Sequence, residues 1–218
     1  MLFRLFEFIF LFLVLPTLYA FELIPIGIVQ FFLIILSWCL CVLLFDRKFE
    51  KKQLWNKTAL RPHLKRILIT YVITCFIVSL GIFLYDRELL FIYVRKRPLM
   101  WLLLMIVYQM FFVYPQELVY RTFFFHRYNS LFPNHLVMIG ASAIVFSYMH
   151  IVFQNIVAII LTLAGGALFA KTYYETRSTF AASFEHALYG SFVFTAGLYS
   201  YFIPFNSWIA EKFIQLLH

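Results

Sequence analysis

Long runs of apolar residues limit what this chain can fold into more than any other feature. Residues 23–45 and 67–85 contain no charged side chain, and each run is long enough to cross a bilayer as a helix. The whole chain is 64% hydrophobic and only 13% charged, which exceeds what a soluble core of this size can bury. The runs are continuous rather than alternating, so a β-barrel is disfavoured. The sequence therefore predicts an all-α, polytopic transmembrane helix bundle.

The runs predict about seven or eight helices in one integral membrane domain, residues 1–218. Residues 1–98 would hold the N-terminal helices and a basic loop, and residues 99–200 a core that carries the polar residues discussed below. The predicted spans are residues 2–21, 23–45, 67–85, 99–114, 136–150, 154–173 and 180–201, with a further helix that begins near Gln116 and a short amphipathic tail that ends at His218. The first run resembles a signal peptide, but Leu18 is a poor residue before a cut after Ala20, which favours an uncleaved helix.

The positive charge of the chain lies in its loops. The formal net charge is +8, with eight Lys and Arg residues at 46–66 and four at 86–98. In a membrane protein such clusters indicate topology and contact with anionic headgroups, so we expect the lipid bilayer rather than nucleic acid as the partner. The stronger cluster predicts that residues 46–66 and the N-terminus are cytoplasmic. We expect the inner (cell) membrane of a bacterium.

Polar residues at membrane depth are the candidate functional residues, because they are costly there unless they are paired or line a polar cavity. The first group lies in "VYPQELVYRTFFFHRY", residues 113–128. Glu117 and Arg121 are four residues apart, so they share one face of a helix and can form an ion pair. A purely structural ion pair is the alternative. His126 and Arg127, at the end of the stretch, are expected only to mark the membrane interface.

Two further groups follow on later apolar segments. "FSYMH" ends at His150, and "FEHALYG" places Glu185 directly beside His186. A single histidine at a helix end is often only structural, but a carboxylate beside an imidazole within a span needs partners. The three groups together supply two carboxylates, two imidazoles and one guanidinium. A glutamate with two histidines can activate water or bind a metal ion, although the HExxH zinc motif is absent.

The order of these groups resembles the CPBP family of intramembrane proteases, also called the CAAX protease or Abi family. Its motifs, EExxxR, FxxxH and HxxxN, align with "QELVYR" at 116–121, "FSYMH" at 146–150 and "HALYG" at 186–190. The resemblance implies hydrolysis of a peptide bond in a membrane-embedded or lipidated peptide or protein. It also implies that a glutamate activates water, while the histidines and the asparagine hold water or stabilise the oxyanion. A zinc ion is possible but not required; its ligands would be His150, His186 and Glu117.

Two positions depart from the family motif. Gln116 stands where the presumed water-activating glutamate is expected, and an amide cannot accept a proton as a base. Gly190 stands at the asparagine position. The chain could be an inactive relative, Gln116 could be an engineered substitution, or another carboxylate could serve, and we favour the last, with Glu185 as the candidate. Asn155 and Ser191 are candidates for the missing polar group.

The leading functional hypothesis is therefore an intramembrane endopeptidase. Glu117 or Glu185 would be the base, His150 and His186 would position water or stabilise the oxyanion, and Arg121 would orient Glu117. The alternative is a catalytically inactive relative that binds a membrane peptide or partner without cleaving it. A proton-coupled transporter is disfavoured, because the sequence has no repeated half and no matching pair of broken helices.

Overall fold

The fold is a bundle of helices. A computed structural model describes residues 1–202, and no strand occurs in that part of the chain. Its eight helices are α1 (Leu2–Ala20), α2 (Ile28–Phe45), α3 (Leu64–Asp86), α4 (Ile92–Lys96), α5 (Pro98–Leu131), α6 (His135–Met149), α7 (Ile156–Thr176) and α8 (Thr179–Ala196). The predicted fold class is confirmed. The predicted amphipathic tail lies outside the described residues.

Six of the helices within residues 1–202 are long and apolar enough to cross a membrane, namely α1, α2, α3, α5, α6 and α7. The predicted span at 180–201 falls on α8, which is not one of the six. Half of the residues of α8 are buried against other helices, among them Ser183, Glu185 and His186. Because protein rather than lipid surrounds these positions, α8 tolerates polar residues that a lipid-facing helix would exclude.

Helix α5 runs without a break through Pro115, so the prediction that one span ends at residue 114 and a new helix begins near Gln116 is wrong. Proline has no backbone N–H, so it cannot donate the hydrogen bond that a residue in an α-helix makes to the carbonyl four residues earlier. A π-helical stretch, Gln109–Val113, precedes Pro115 and lets the helix continue. Helix α1 uses the same arrangement, with π-helical Phe10–Val14 just before Pro16.

The main core joins the N-terminal helices to the C-terminal part of α5. The rings of Phe8 and Phe12 on α1 pack edge-on against Phe124 and Tyr128 on α5, with ring centroids 5.5–6.0 Å apart. Such edge-to-face pairs stabilise the fold beyond the contribution from burial of the rings. Helix α1 is therefore part of the folded bundle.

His126 and Arg127 do more than mark the membrane interface, contrary to the prediction. Arg127 Nε lies 2.7 Å from a carboxylate oxygen of Glu7 on α1, and His126 Nε2 lies 2.9 Å from Asp46 at the end of α2. The backbone N–H of Lys48 and, next, the His126 side chain hold the pKa of Asp46 below its usual range. These two side chains tie the first two helices to α5.

Helices α6 and α7 pack closely along their length. A Cβ added at Gly166 would lie 3.2 Å from Ala143 Cα, closer than most Cβ contacts, so a larger residue would push the two helices slightly apart. Small residues serve the same purpose wherever membrane helices cross closely.

The basic loop, residues 46–63, folds back over the middle of α5, the end of α7 and the start of α8. Its backbone and Gln53 side chain accept hydrogen bonds from the hydroxyl groups of Tyr114, Tyr173 and Ser178, at 2.8–2.9 Å. The ring of Trp55 packs between Tyr114 and Phe180. The basic loop therefore contacts α5 one helical turn before Glu117 and contacts α8 about two turns before His186.

Candidate active site

Glu117 is the centre of the site and is completely buried. Its Oε1 lies 2.8 Å from Nδ1 of His186 on α8, and its Oε2 lies 3.3 Å from Nε of Arg121. A buried carboxylate is tolerated only where it is paired, and here it has one partner on its own helix and one across the bundle. The prediction that Glu117 and Arg121 lie on one face and pair is confirmed by this geometry.

Arg121 is also fully buried, and other groups hold it in addition to Glu117. Its Nη1 donates to the Tyr120 carbonyl and to Ser142 Oγ, each at 3.2 Å. The guanidinium carbon lies 4.7 Å from the centre of the Phe146 ring, a cation–π distance. The plane and direction of the guanidinium are thus fixed before any substrate is present.

Two aromatic rings pack against His186, and both of its ring nitrogens have a partner. Its ring stacks on Phe169 at 4.5 Å, and the Phe146 ring stands edge-on at 5.5 Å. Because a carboxylate only accepts hydrogen bonds, the neutral ring carries its proton on Nδ1, toward Glu117. The lone pair of Nε2 then faces the hydroxyl of Tyr108, 3.1 Å away.

His150, at the end of α6, lies beside the same aromatic group. Its Nδ1 donates to the Phe146 carbonyl at 2.7 Å, which leaves the lone pair on Nε2. The Phe146 ring contacts both imidazoles, with centroid distances of 4.8 Å to His150 and 5.5 Å to His186. The two predicted histidines therefore share one neighbourhood, separated by a phenylalanine ring.

Glu185 is buried but belongs to a neighbouring ion cluster. Its closest cation is Arg66 on α3, with Nη1 3.9 Å from Oε1. Arg66 also pairs with Glu175 at 3.2 Å and donates to Thr172 at 2.6 Å. Adjacent residues on a helix point about 100° apart, so the neighbour of His186 in sequence is not its partner in the site.

Comparison with known proteins identifies the segment that carries these residues. Residues 96–192 match the family model described as type II CAAX prenyl endopeptidase Rce1-like. The resemblance inferred from the three motifs is thereby confirmed, and it indicates an intramembrane endopeptidase in a multi-pass membrane protein. No curated protein and no solved structure matches the chain.

The two departures from the CAAX protease motif have different surroundings. Gln116 is partly exposed, and its side chain makes no hydrogen bond to any described residue. Gly190 faces Tyr108 of α5: a Cβ there would lie 2.6 Å from the ring carbon Cε1 and would overlap the hydroxyl. Tyr108 is the site residue that sequence reasoning missed. The one sequence feature that pointed to Tyr108 was the glycine at position 190, and a missing side chain does not indicate which residue fills the space.

Asn155 and Ser191, the predicted substitutes for the missing amide, are engaged elsewhere. Asn155 Oδ1 accepts from the backbone N–H of Val157 at 2.9 Å and so caps the start of α7. Ser191 Oγ accepts from Gln109 Nε2. Neither hydrogen bond joins them to Glu117 or His186.

The side chains suggested as zinc ligands, His150, His186 and Glu117, do not form a metal site in this structure. Among residues 1–202, no three His, Cys, Asp or Glu side chains are grouped as metal ligands. Nδ1 of His186 is bonded to Glu117 and Nδ1 of His150 to a backbone carbonyl, which leaves the ring lone pairs on the two Nε2 atoms. The direct contact that the structure shows among the three side chains is the carboxylate–imidazole pair of Glu117 and His186.

Proposed function

We propose that this protein is an intramembrane endopeptidase that hydrolyses a peptide bond in a membrane-associated or lipidated peptide. The observation that carries the proposal is the 2.8 Å hydrogen bond between Glu117 and Nδ1 of His186, within the segment that matches the CAAX proteases. A carboxylate that holds an imidazole by Nδ1 fixes its tautomer and stabilises the imidazolium form, which prepares Nε2 to accept a proton.

In the proposed reaction, water attacks the scissile carbonyl carbon and its proton passes to Nε2 of His186. Glu117 stabilises the imidazolium, and Arg121 balances the carboxylate charge. The imidazolium then returns the proton to the leaving amine as the C–N bond breaks. His150, whose Nε2 carries a lone pair, accepts a hydrogen bond from the attacking water and orients it.

Glu117 rather than Glu185 is the carboxylate that we assign to this work. Glu117 is hydrogen-bonded to His186, whereas the closest charged partner of Glu185 is Arg66. Because the base is an imidazole, Gln116 need not act as one. The substitution at position 116 is then compatible with hydrolysis.

The substrate class follows from the family description, CAAX prenyl endopeptidase. A prenylated peptide with a C-terminal CAAX sequence is therefore the probe of first choice. The prenyl chain would partition into lipid beside the helices, and the peptide would approach from the membrane surface.

The test uses the full chain, purified in detergent or lipid nanodiscs, with the prenylated CAAX peptide and detection of products by mass spectrometry. We expect cleavage by the wild type and a loss of roughly 10⁴-fold in kcat for Glu117→Gln, as for a triad carboxylate. Glu185→Gln should retain most activity, and Glu88→Gln, at an exposed position, is the control. Loss of activity in Glu185→Gln with normal activity in Glu117→Gln would overturn the assignment.

The second candidate function is binding of a lipidated or transmembrane peptide without cleavage. Gln116 and Gly190, which lack the side chains of the family motif, favour it. It predicts saturable binding of the same prenylated peptide and no product at acidic, neutral or alkaline pH. Product formed by the wild type and absent from His186→Ala would exclude it.

A further inference from the structure

The hydroxyl of Tyr108 extends the hydrogen bond between His186 and Glu117 into a continuous line of three residues. Its hydroxyl oxygen lies 3.1 Å from Nε2 of His186, whose Nδ1 is bonded to Glu117. With the proton of His186 on Nδ1, the Tyr108 hydroxyl is the donor to Nε2. We propose that Tyr108 is a catalytic residue, the hydroxyl through which His186 exchanges its proton with the attacking water. This inference rests on the endopeptidase function proposed above.

Exposure supports this role. Glu117 is 0% and His186 only 5% exposed, whereas the Tyr108 side chain is partly exposed. The line therefore leads from a completely buried carboxylate to a side chain that is only partly buried. Nε2 itself faces the hydroxyl, so a proton that reaches His186 by this route passes through the Tyr108 oxygen.

Gly190 makes the arrangement possible. Any side chain at position 190 would overlap the Tyr108 ring and hydroxyl, because even a Cβ comes within 2.7 Å of the ring carbon Cζ. The missing amide of the family motif and the presence of Tyr108 are thus one feature: a hydroxyl from α5 occupies the space beside His186 that a longer side chain on α8 would fill.

Neighbouring contacts fix the position of Tyr108. Its ring packs edge-on against Phe194, with centroids 4.7 Å apart. The next residue, Gln109, donates from Nε2 to the Ala187 carbonyl at 3.3 Å and to Ser191 Oγ, and Trp101 Nε1 donates to Thr195 Oγ1 at 3.0 Å. Three polar contacts therefore join α5 to α8 on either side of the hydroxyl.

The proton count balances without any further reactant. As the water oxygen bonds to the carbonyl carbon, one water O–H bond breaks and its proton moves to the Tyr108 oxygen. The phenol proton moves at the same time to Nε2 of His186. The same two transfers run in reverse when the C–N bond breaks, so the leaving amine receives a proton and Tyr108 ends as a neutral phenol.

The test compares Tyr108→Phe with Tyr189→Phe in the prenylated-peptide assay. Tyr189 is a matched control, because it lies on α8 near His186 and its hydroxyl makes no hydrogen bond to Glu117 or His186. We expect Tyr108→Phe to lower kcat about a hundred-fold or more, as for loss of a proton-transfer group, with unchanged thermal stability. Tyr189→Phe should leave kcat unchanged.

A second measurement keeps the hydroxyl and changes only its acidity. Replacement of Tyr108 by 3-fluorotyrosine makes the phenol more acidic, so the alkaline limb of the pH–rate profile should move to lower pH. A purely structural phenol would leave that limb in place. The same replacement at Tyr189 is the control.

The outcomes separate the two proposals. If the wild type cleaves the peptide but Tyr108→Phe cleaves it equally well, or the fluorotyrosine limb does not move, the relay is wrong and the endopeptidase function stands. If Tyr108→Ala cleaves faster than the wild type, Tyr108 blocks the site and the relay is again wrong. If the wild type forms no product, both proposals fail.

Discussion

Glu117 and Arg121, one helical turn apart, form an ion pair whose two side chains are completely buried. Removal of one partner from a buried ion pair leaves an uncompensated charge, whereas removal of both leaves an apolar contact. Arg121 thus has a structural task that is separate from any task in catalysis.

We expect Arg121→Leu to lower the free energy of unfolding by about 3–5 kcal/mol. The double variant Glu117→Leu/Arg121→Leu should recover part of that loss, because no charge stays buried, although Nδ1 of His186 loses its acceptor. Thermal or detergent unfolding of the purified protein measures both values. Arg87→Leu, which disrupts an exposed pair with Glu88, is the control and should change stability by less than about 1 kcal/mol. Equal losses in the single and double variants would contradict the prediction.

At the scale of single residues, the sequence predicted the Glu117–Arg121 pair because both members lie on one helix, where spacing determines proximity. It did not predict that His186 would bind Glu117 while Glu185 turned toward Arg66, since both choices lie on α8 and differ only by the rotation of that helix. Tyr108 was missed for the same reason: 78 residues separate it from His186.

At the scale of elements, Glu7 connects α1 to both α2 and α5. Its carboxylate accepts from Arg127 Nε at 2.7 Å and from Trp38 Nε1 at 3.2 Å, and its side chain is 4% exposed. Aromatic packing alone would hold α1 against α5 without fixing its rotation about its own axis. The carboxylate supplies directional bonds that do so.

Glu7→Leu should therefore lower the free energy of unfolding by about 1–3 kcal/mol, since it leaves the largely buried Arg127 guanidinium without its acceptor. The shift of the thermal midpoint in detergent measures this. Glu50→Leu, at an exposed carboxylate in the basic loop, is the control. An unchanged midpoint for Glu7→Leu would show that the aromatic contacts alone hold α1.

Helix α5 illustrates a limit of local sequence rules. A proline after an apolar run is a normal sign of a helix start, and the sequence was interpreted in that way. The π-helical stretches Gln109–Val113 and Leu118–Phe123 on either side of Glu117 instead carry one helix through the site. Such stretches often occur where a helix presents functional side chains.

At the scale of the whole molecule, part of the helix surface is suited to contact with lipid and part is covered by other segments of the protein. Helix α3 exposes many large apolar side chains, including Val72, Phe76 and Phe83, which suit contact with acyl chains. The basic loop instead covers the middle of α5 and the adjoining ends of α7 and α8, where it makes polar contacts. If successive long helices cross the membrane in turn, the N-terminus and the basic loop lie on one side and residues 87–97 on the other.

We expect the basic loop to be cytoplasmic, by the positive-inside rule. In a variant whose native cysteines are replaced by alanine, Lys52→Cys and Lys96→Cys place single thiols at exposed positions in the two loops. On intact cells, a membrane-impermeant maleimide should label Lys96→Cys alone, and Lys52→Cys only after lysis. The reverse pattern would invert the proposed topology.

The sequence by itself was enough to predict a helical protein surrounded by lipid and to locate the polar motifs. Unbroken apolar runs exclude a soluble fold, and an ion pair between residues on one helix follows from their spacing. Only the tertiary structure decided which side chains from different helices meet. Glu117 on α5 pairs with His186 rather than with the neighbouring Glu185 network, and Tyr108 fills the space over Gly190. These contacts depend on how each helix is rotated in the bundle, which packing of many residues sets and no local pattern encodes.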